Sequence, residues 1–290
     1  MAETESRGEV IMNKIKTFLI RGDTHSLFTW MDNGCLDKYI PEETAIIILG
    51  DAGFNFWLNK KDERLKREIS AKGFTFYCVR GNHEARPQDV EGMDNIYDEN
   101  VQGVVYLEEE FPLIRYFFDY GEYTIGGYKC AVIGGAYSVD KYYRLARAGI
   151  IDKKDPRYFN PKITHWFYNE LLSEKEMNDA MEILGNKHYD FVFTHTCPIS
   201  WEPTDLFLSM VDQSSVDKSM ELWLEEFKES ITFNVYCFGH FHADRLERPY
   251  VEQYYNNIEE LDTIWHRWSR YSKTGDLDWW LVKSPSFYIS

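Results

Sequence analysis

The sequence predicts an α/β fold built on parallel strands. Three observations lead there. Short apolar runs of strand length recur along the chain, helix-like stretches lie between several of them, and each run ends in a polar turn. The runs are apolar almost without interruption rather than alternating, which suits strands buried on both faces.

The elements follow in order. IKTFLI (15–20) opens the set, with a helix-like stretch at about 26–38 after it. TAIIIL (44–49) leads into the charged, periodic stretch 57–71, and FTFYCV (74–79) follows. Residues 101–135 carry β-favouring residues broken by glycines, which predicts hairpins and a second sheet. KCAVIGG (129–135) ends that region. The stretch 161–184 reads as one helix, because Asn160-Pro161 is a good helix start. DFVFTH (190–195), a helix over 215–229 and FNVYCFG (233–239) complete the alternation. Residues 245–255 and 280–288 are expected to add edge strands, with a helix at 256–270 between them. The charge runs EEE (108–110) and KKDERLKRE (60–68) read as solvated faces.

Of the 290 residues, 44% are hydrophobic and 17% aromatic, ample for a large core. We expect a disordered polar tail over 1–11, with Met12 as an alternative start, and a single domain over 12–290. The start has no apolar core of the kind a secretory signal needs. The net charge of −16 argues against broad binding to long nucleic acid. A small anionic substrate needs local positive charge, and metal ions are the simplest source. Cys35, Cys78, Cys130, Cys197 and Cys237 are odd in number and form no C-x-x-C pair, the pattern of a reducing, cytoplasmic protein. No apolar stretch approaches the ~18 residues of a membrane span, so no membrane partner is expected.

The residues that follow the apolar runs carry the chemistry. Asp23 and His25 follow the first, Asp51 the second, and Asn82 and His83 the third. His195 ends the run at 190–195, and His240 and His242 follow the last. Parallel strands of an open α/β sheet deliver their carboxyl ends to one crevice, so these groups are predicted to meet. Singly, each has an ordinary explanation. Asp23 suits a helix N-cap, Asn82 a turn, and His25 or His195 a satisfied core position. Jointly they do not, because five of the eight histidines stand at strand ends. Carboxylate, amide oxygen and imidazole suit divalent ions without thiolate. Setting His83 aside, seven ligands are too many for one four-coordinate ion and suit two ions sharing a carboxylate.

GDTH (22–25), GD (50–51), GNHE (81–84), THTCP (194–198) and GHFH (239–242) occur in an order that resembles the calcineurin-like metallophosphoesterase superfamily. The resemblance implies an α/β/β/α sandwich with two mixed sheets. It implies a first ion on Asp23, His25 and His242, a second on Asn82, His195 and His240, and Asp51 bridging them. It further implies attack on phosphorus by a hydroxide between the ions, with His83 as the catalytic acid. Manganese is the expected metal, with Fe, Zn, Ni or Mg as alternatives. Two departures matter. Ser26 follows His25 where the family has glycine, and GDAGFNF (50–56) lacks the Asp-Arg-Gly of the protein phosphatase branch. Arg80 does match that branch and is a phosphate-binding and catalytic candidate, with a surface salt bridge as its alternative.

Substrate choice is expected near GGAYSVDKYYR (134–144), where Tyr137, Lys141 and Arg144 combine an aromatic face with positive charge. Arg86 is a further candidate. Glu84 is expected to orient its neighbours. The function these residues predict is hydrolysis of a small, nucleotide-like phosphomonoester or phosphodiester. A protein phosphatase, a nuclease for short oligonucleotides and a silent metal-binding scaffold are the alternatives.

Overall fold

The computed structural model describes residues 14–275, apart from 208, 210, 211 and 249 and the side chains of 247 and 248. The expected tail (1–11) and edge strand (280–288) lie outside the described residues.

Strands β1 (Thr17–Arg21), β2 (Thr44–Ile48) and β3 (Thr75–Cys78) form the parallel centre of the first sheet. β4 (Met93–Asp98), β5 (Gly103–Glu108) and β6 (Ile114–Phe117) extend it, with β6 parallel to β3, β5 antiparallel to β6 and β4 antiparallel to β5. The second sheet holds β7 (Tyr120–Ile125), β8 (Tyr128–Ile133), β9 (His188–Thr194) and β10 (Thr232–Phe238), followed by β11 (Arg245–Arg248) and β12 (Val251–Gln253). β8, β9, β10 and β12 run parallel there. β13 (Ile258–Glu260) returns to pair antiparallel with β1, giving sheet orders 13-1-2-3-6-5-4 and 11-12-10-9-8-7.

The period of two inside each strand sets the layers. Phe18 and Ile20 of β1 face inward with Phe191, Phe193, Val235 and Val132 of the second sheet. Leu19, Ile46, Ile48 and Phe76 face outward and pack on Ile69 of helix α1 (Lys60–Ser70) and on Phe28 and Phe54. Three further helices are α2 (Lys141–Arg147), α3 (Pro161–Thr164) and α4 (Glu174–Leu184). On the far side, Val192 and Tyr236 pack on Ala180 and Leu184 of α4 and on Leu224 and Phe227 of α5 (Ser219–Ser230). Both faces of each central strand are therefore buried, which is why the runs are apolar without alternation. The result is the expected helix–sheet–sheet–helix sandwich. α6 (Leu261–Thr274) closes it by inserting Leu261 and Ile264 into the inter-sheet core. Among the described residues, no helix is long and apolar enough to cross a membrane.

Three expectations need correction. The stretch 26–38 is not an α-helix but turns around a short 3-10 segment, Thr29–Asp32. Its entry is templated by another loop, since His25 N–H donates to Asp51 O (2.8 Å) and Ser26 N–H to Ala52 O (3.1 Å). The stretch 161–184 is two helices. Left-handed His165 (φ 53°) ends α3, and Ser173 starts α4 with a capping box to Glu176. The expected helix at 256–270 begins later, at Leu261, because Ile258–Glu260 is taken as β13.

Candidate metal centre

Five strands point their carboxyl ends at one edge of the sandwich. The loops after β1, β2, β3, β9 and β10 bring Asp23, His25, Asp51, Asn82, His83, His195, His240 and His242 together there. Four of the seven expected ligands adopt left-handed backbone: His25 (φ 46°), Asp51 (49°), His240 (68°) and His242 (53°). Each such residue costs ~1–3 kcal/mol, and this kind of strain collects at functional sites.

The glycines before the ligands allow the close approach. Gly50 has φ 97°, and a Cβ there would lie 1.9 Å from His195 Nδ1. A Cβ at Gly81 would lie 2.0 Å from Asp51 Oδ1.

Two clusters share the space. In the outer one, His242 Nε2 lies 3.4 Å and His25 Nε2 3.7 Å from Asp23 Oδ2, and the two imidazole nitrogens are 2.8 Å apart. In the inner one, His195 Nε2 lies 2.9 Å from Asn82 Oδ1 and 3.6 Å from Asp51 Oδ2. His240 packs edge-on against the His195 ring. Asp51 Oδ2 is also 3.9 Å from His25 Nε2, so this oxygen stands between the clusters. Its other oxygen accepts from His83 N–H at 2.7 Å.

The electrostatics point to a missing positive charge. Asp23 Oδ2 is buried without a hydrogen bond. Burial opposes the charge of Asp51, yet the neighbouring His195 and His83 hold its carboxyl well below the usual range. Burial alone would depress His195, but the charges of Asp51 and Asp23 push its pKa up to about 9. His240, half-buried beside it, is driven down to about 3, first by desolvation and then by the charge of His195. The acceptors thus outnumber the donors and draw a proton onto His195. Divalent cations answer the same surplus, and their binding releases such protons. Two ligand groups satisfy that geometry among the described residues: Asp23 with His25 and His242, and Asp23 with Asp51 and His195. The donor set therefore fits divalent ions.

Supporting residues aim the ligands. His195 Nδ1 contacts Leu49 O at 2.8 Å, which directs Nε2 at the site. Asn82 Nδ2 donates to Ser138 Oγ (2.9 Å), and Ser138 Oγ donates to Glu170 Oε2 (2.5 Å). This chain turns Asn82 Oδ1 toward His195. Burial pushes the Glu170 carboxyl up to about 7. Glu84 closes the turn it ends, with Oε1 accepting from Gly81 N–H (3.0 Å) and Oε2 from Tyr116 O–H (2.7 Å). The sequence reading missed Ser138 and Glu170. Ser138 follows the end of β8, the same signal that marked the ligands, whereas nothing in the 161–184 stretch sets Glu170 apart.

Arg80 and Arg86 are not placed as expected. Both guanidinium groups are buried on Asp119, Arg80 through Nε and Arg86 through Nη1 (2.9 Å). Arg80 also donates to Glu170 O (2.8 Å), and Arg86 to Leu171 O (2.8 Å) and Glu176. A guanidinium held this way ties the 81–84 turn to the 165–173 segment and is not free to meet phosphate. Tyr137 does line the metal cavity, which measures ≈ 420 Å³ and includes Phe207, Phe241, Lys218 and the metal-loop residues. Lys141 folds back, with Nζ 4.4 Å from the Trp166 ring centre and 5.7 Å from that of Tyr137. Arg144 lines a neighbouring cavity instead. Glu221, which no motif indicated, is buried in the metal-cavity wall; it accepts from Thr196 O–H (2.8 Å), and burial raises its carboxyl to about 7.

A search of the curated proteins gave no match. The family model for calcineurin-like phosphoesterases matches residues 16–244, from the first strand to just past His242. With that span covering most of the chain and every clustered loop, the protein belongs to the calcineurin-like phosphoesterase family.

Proposed function

We propose that this chain is a binuclear metal-dependent hydrolase of small phosphate esters, monoesters or diesters, in the cytoplasm. The observation that carries the reading is Asp51 Oδ2, set 3.9 Å from His25 Nε2 on one side and 3.6 Å from His195 Nε2 on the other. An oxygen between two half-sites is what two ions sharing a carboxylate require. Asp23, His25 and His242 would hold one ion, and Asn82, His195 and His240 the other. Bound there, two divalent ions, manganese first with Fe, Zn, Ni or Mg as alternatives, would polarise the phosphoryl group and supply a nucleophile at neutral pH.

The chain's own residues do the rest. After the water has given a proton to solvent, its oxygen joins phosphorus, the P–O ester bond breaks, and the leaving oxygen takes a proton from the His83 imidazolium, which solvent then restores. His83 follows Asn82 directly, its backbone N–H is fixed on Asp51, and its ring lines the cavity 5.6 Å from that of His25. Tyr137, Phe207 and Phe241 narrow the cavity and give it an apolar wall. A ≈ 420 Å³ cavity on a chain of net charge −16 suits a small substrate better than a long nucleic acid. The five free cysteines support a reducing compartment.

The test is turnover of p-nitrophenyl phosphate and bis(p-nitrophenyl) phosphate with added Mn²⁺, together with metal analysis. Wild type should bind two ions and turn over at least one ester. His83→Ala should keep both ions and lose most of the rate. Two bound ions with no turnover of any ester would establish the scaffold alternative instead.

A further inference from the structure

A second cavity of ≈ 370 Å³ adjoins the metal centre, lined by Trp57, Asp140, Tyr143, Arg144, Arg147 and His165 among others. Consecutive residues serve both spaces. Tyr137 and Val139 line the metal cavity, and Asp140, Tyr143 and Arg144 line the second. The segment leading into α2 is therefore their common wall. His83 lines the metal cavity together with Tyr137 and Val139 of that wall.

The second cavity is cationic on a strongly acidic chain. Burial and the charges of Arg144, Lys61 and Arg147 together keep His165 below its ordinary pKa. Arg144 is aligned rather than neutralised outright. Its Nε donates to Asp140 Oδ2 (2.7 Å) and its Nη1 to His165 O (2.7 Å), which leaves Nη2 without a hydrogen bond among the described residues. Arg147 is exposed and has no hydrogen bond or ion pair among the described residues. The left-handed backbone of His165 turns its carbonyl onto Arg144 and its ring against Phe56 and Trp57. Tyr143 is 65% exposed at the same cavity, with no ring partner among the described residues. Two guanidinium groups and the available face of Tyr143 in one cavity match an aromatic ring that carries phosphate.

We propose that this cavity is the subsite for the leaving half of the substrate, and that this half is a nucleoside phosphate: its phosphate on Arg144 and Arg147, its base against Tyr143. The inference rests on the phosphoesterase reading and narrows it, because the substrate then carries a phosphate beyond the one cleaved. The leaving side is chosen because His83 and Val139 line the metal cavity together, while the next residue, Asp140, lines the second cavity.

The experiment uses the Mn²⁺-loaded full chain and two monoesters: adenosine 3′,5′-bisphosphate, which leaves AMP with both features when its 3′-phosphate is cleaved, and p-nitrophenyl phosphate, which lacks the second phosphate. Arg147→Ala should raise KM for the bisphosphate about tenfold more than KM for p-nitrophenyl phosphate, with kcat changed little, as loss of one charge-assisted contact requires. Arg147→Lys should recover most of that loss. AMP binding, followed by calorimetry with and without metal, should weaken by about the same factor in Arg147→Ala. Equal effects on both substrates, or AMP binding that Arg147→Ala leaves intact, would overturn the subsite. If wild type binds AMP through Arg147 but hydrolyses neither of these substrates nor bis(p-nitrophenyl) phosphate, the cavity is a nucleotide site and the phosphoesterase reading falls.

Discussion

The outer and inner ligand clusters use the same residue types and are held in different ways. The inner one is interior. His195 is wholly buried, and Asn82 is nearly so. Leu49 O orients one ligand, and the Ser138–Glu170 chain orients the other. The outer cluster opens to solvent, with the His242 side chain 49% exposed and that of His25 29%. What steadies His242 there is a stacked ring, Tyr255, at 4.9 Å. Rigid hydrogen bonds preorganise the inner half-site, whereas the outer one relies on Asp23 and on packing at the rim. The two halves should therefore differ in how tightly they keep an ion, and Asp51 is the residue that makes them one site.

The comparison can be broken at its hinge first. Asp51→Asn removes the shared charge and should cost at least ~10³-fold in turnover, with both ions weakened, because several kcal/mol of charge stabilisation disappear at once. An Asp51→Asn variant that kept one ion at full affinity would show that the clusters are independent.

The next largest effect is on stability. Gly50→Ala places a methyl group 1.9 Å from His195 Nδ1 at a left-handed position, and overpacking with that strain should cost about 3 kcal/mol. Thermal unfolding with and without Mn²⁺ reads it, and the metal's stabilising increment should shrink as well.

Ser138→Ala and Glu170→Gln sharpen the contrast itself. Loss of such a ligand-orienting hydrogen bond typically costs about 10–100-fold in metal affinity or activity, and here it should fall on the inner ion. Chelator titration of wild type should release the outer ion first and leave a one-ion form. Equal loss of both ions from Ser138→Ala would mean that burial does not preorganise the inner half.

Tyr255→Ala should have the smallest effect, a few-fold loss of outer-ion affinity at most, because a stacked ring contributes ~0.5–1.5 kcal/mol. A loss as large as that of Ser138→Ala would reverse the ranking of the two halves.

Much of this was legible because the information is local. Gly50-Asp51 and Gly81-Asn82 mark places where a strand ends, the chain turns hard and a ligand must approach another loop without a Cβ in the way. The errors arose where a partner lies far along the chain. Arg80 reads as a phosphate ligand beside Gly81, yet Asp119, 39 residues away, holds it in the interior. The stretch 26–38 has helix-like periodicity, but backbone carbonyls of Asp51 and Ala52 set its entry. Glu170 looked like one helical residue among many, and its use depends on Ser138 arriving from β8.

The sequence alone determined the central parallel strands, their order of delivery and the identity of the clustered groups. Burial on both faces and tight turns leave a compositional trace at each position. Only the tertiary structure decided which charges stay free. It buried Arg80 and Arg86 on Asp119 while leaving Arg147 exposed beside the second cavity. A charge is neutralised by whatever the fold brings within a few ångströms, and no local pattern records that distance.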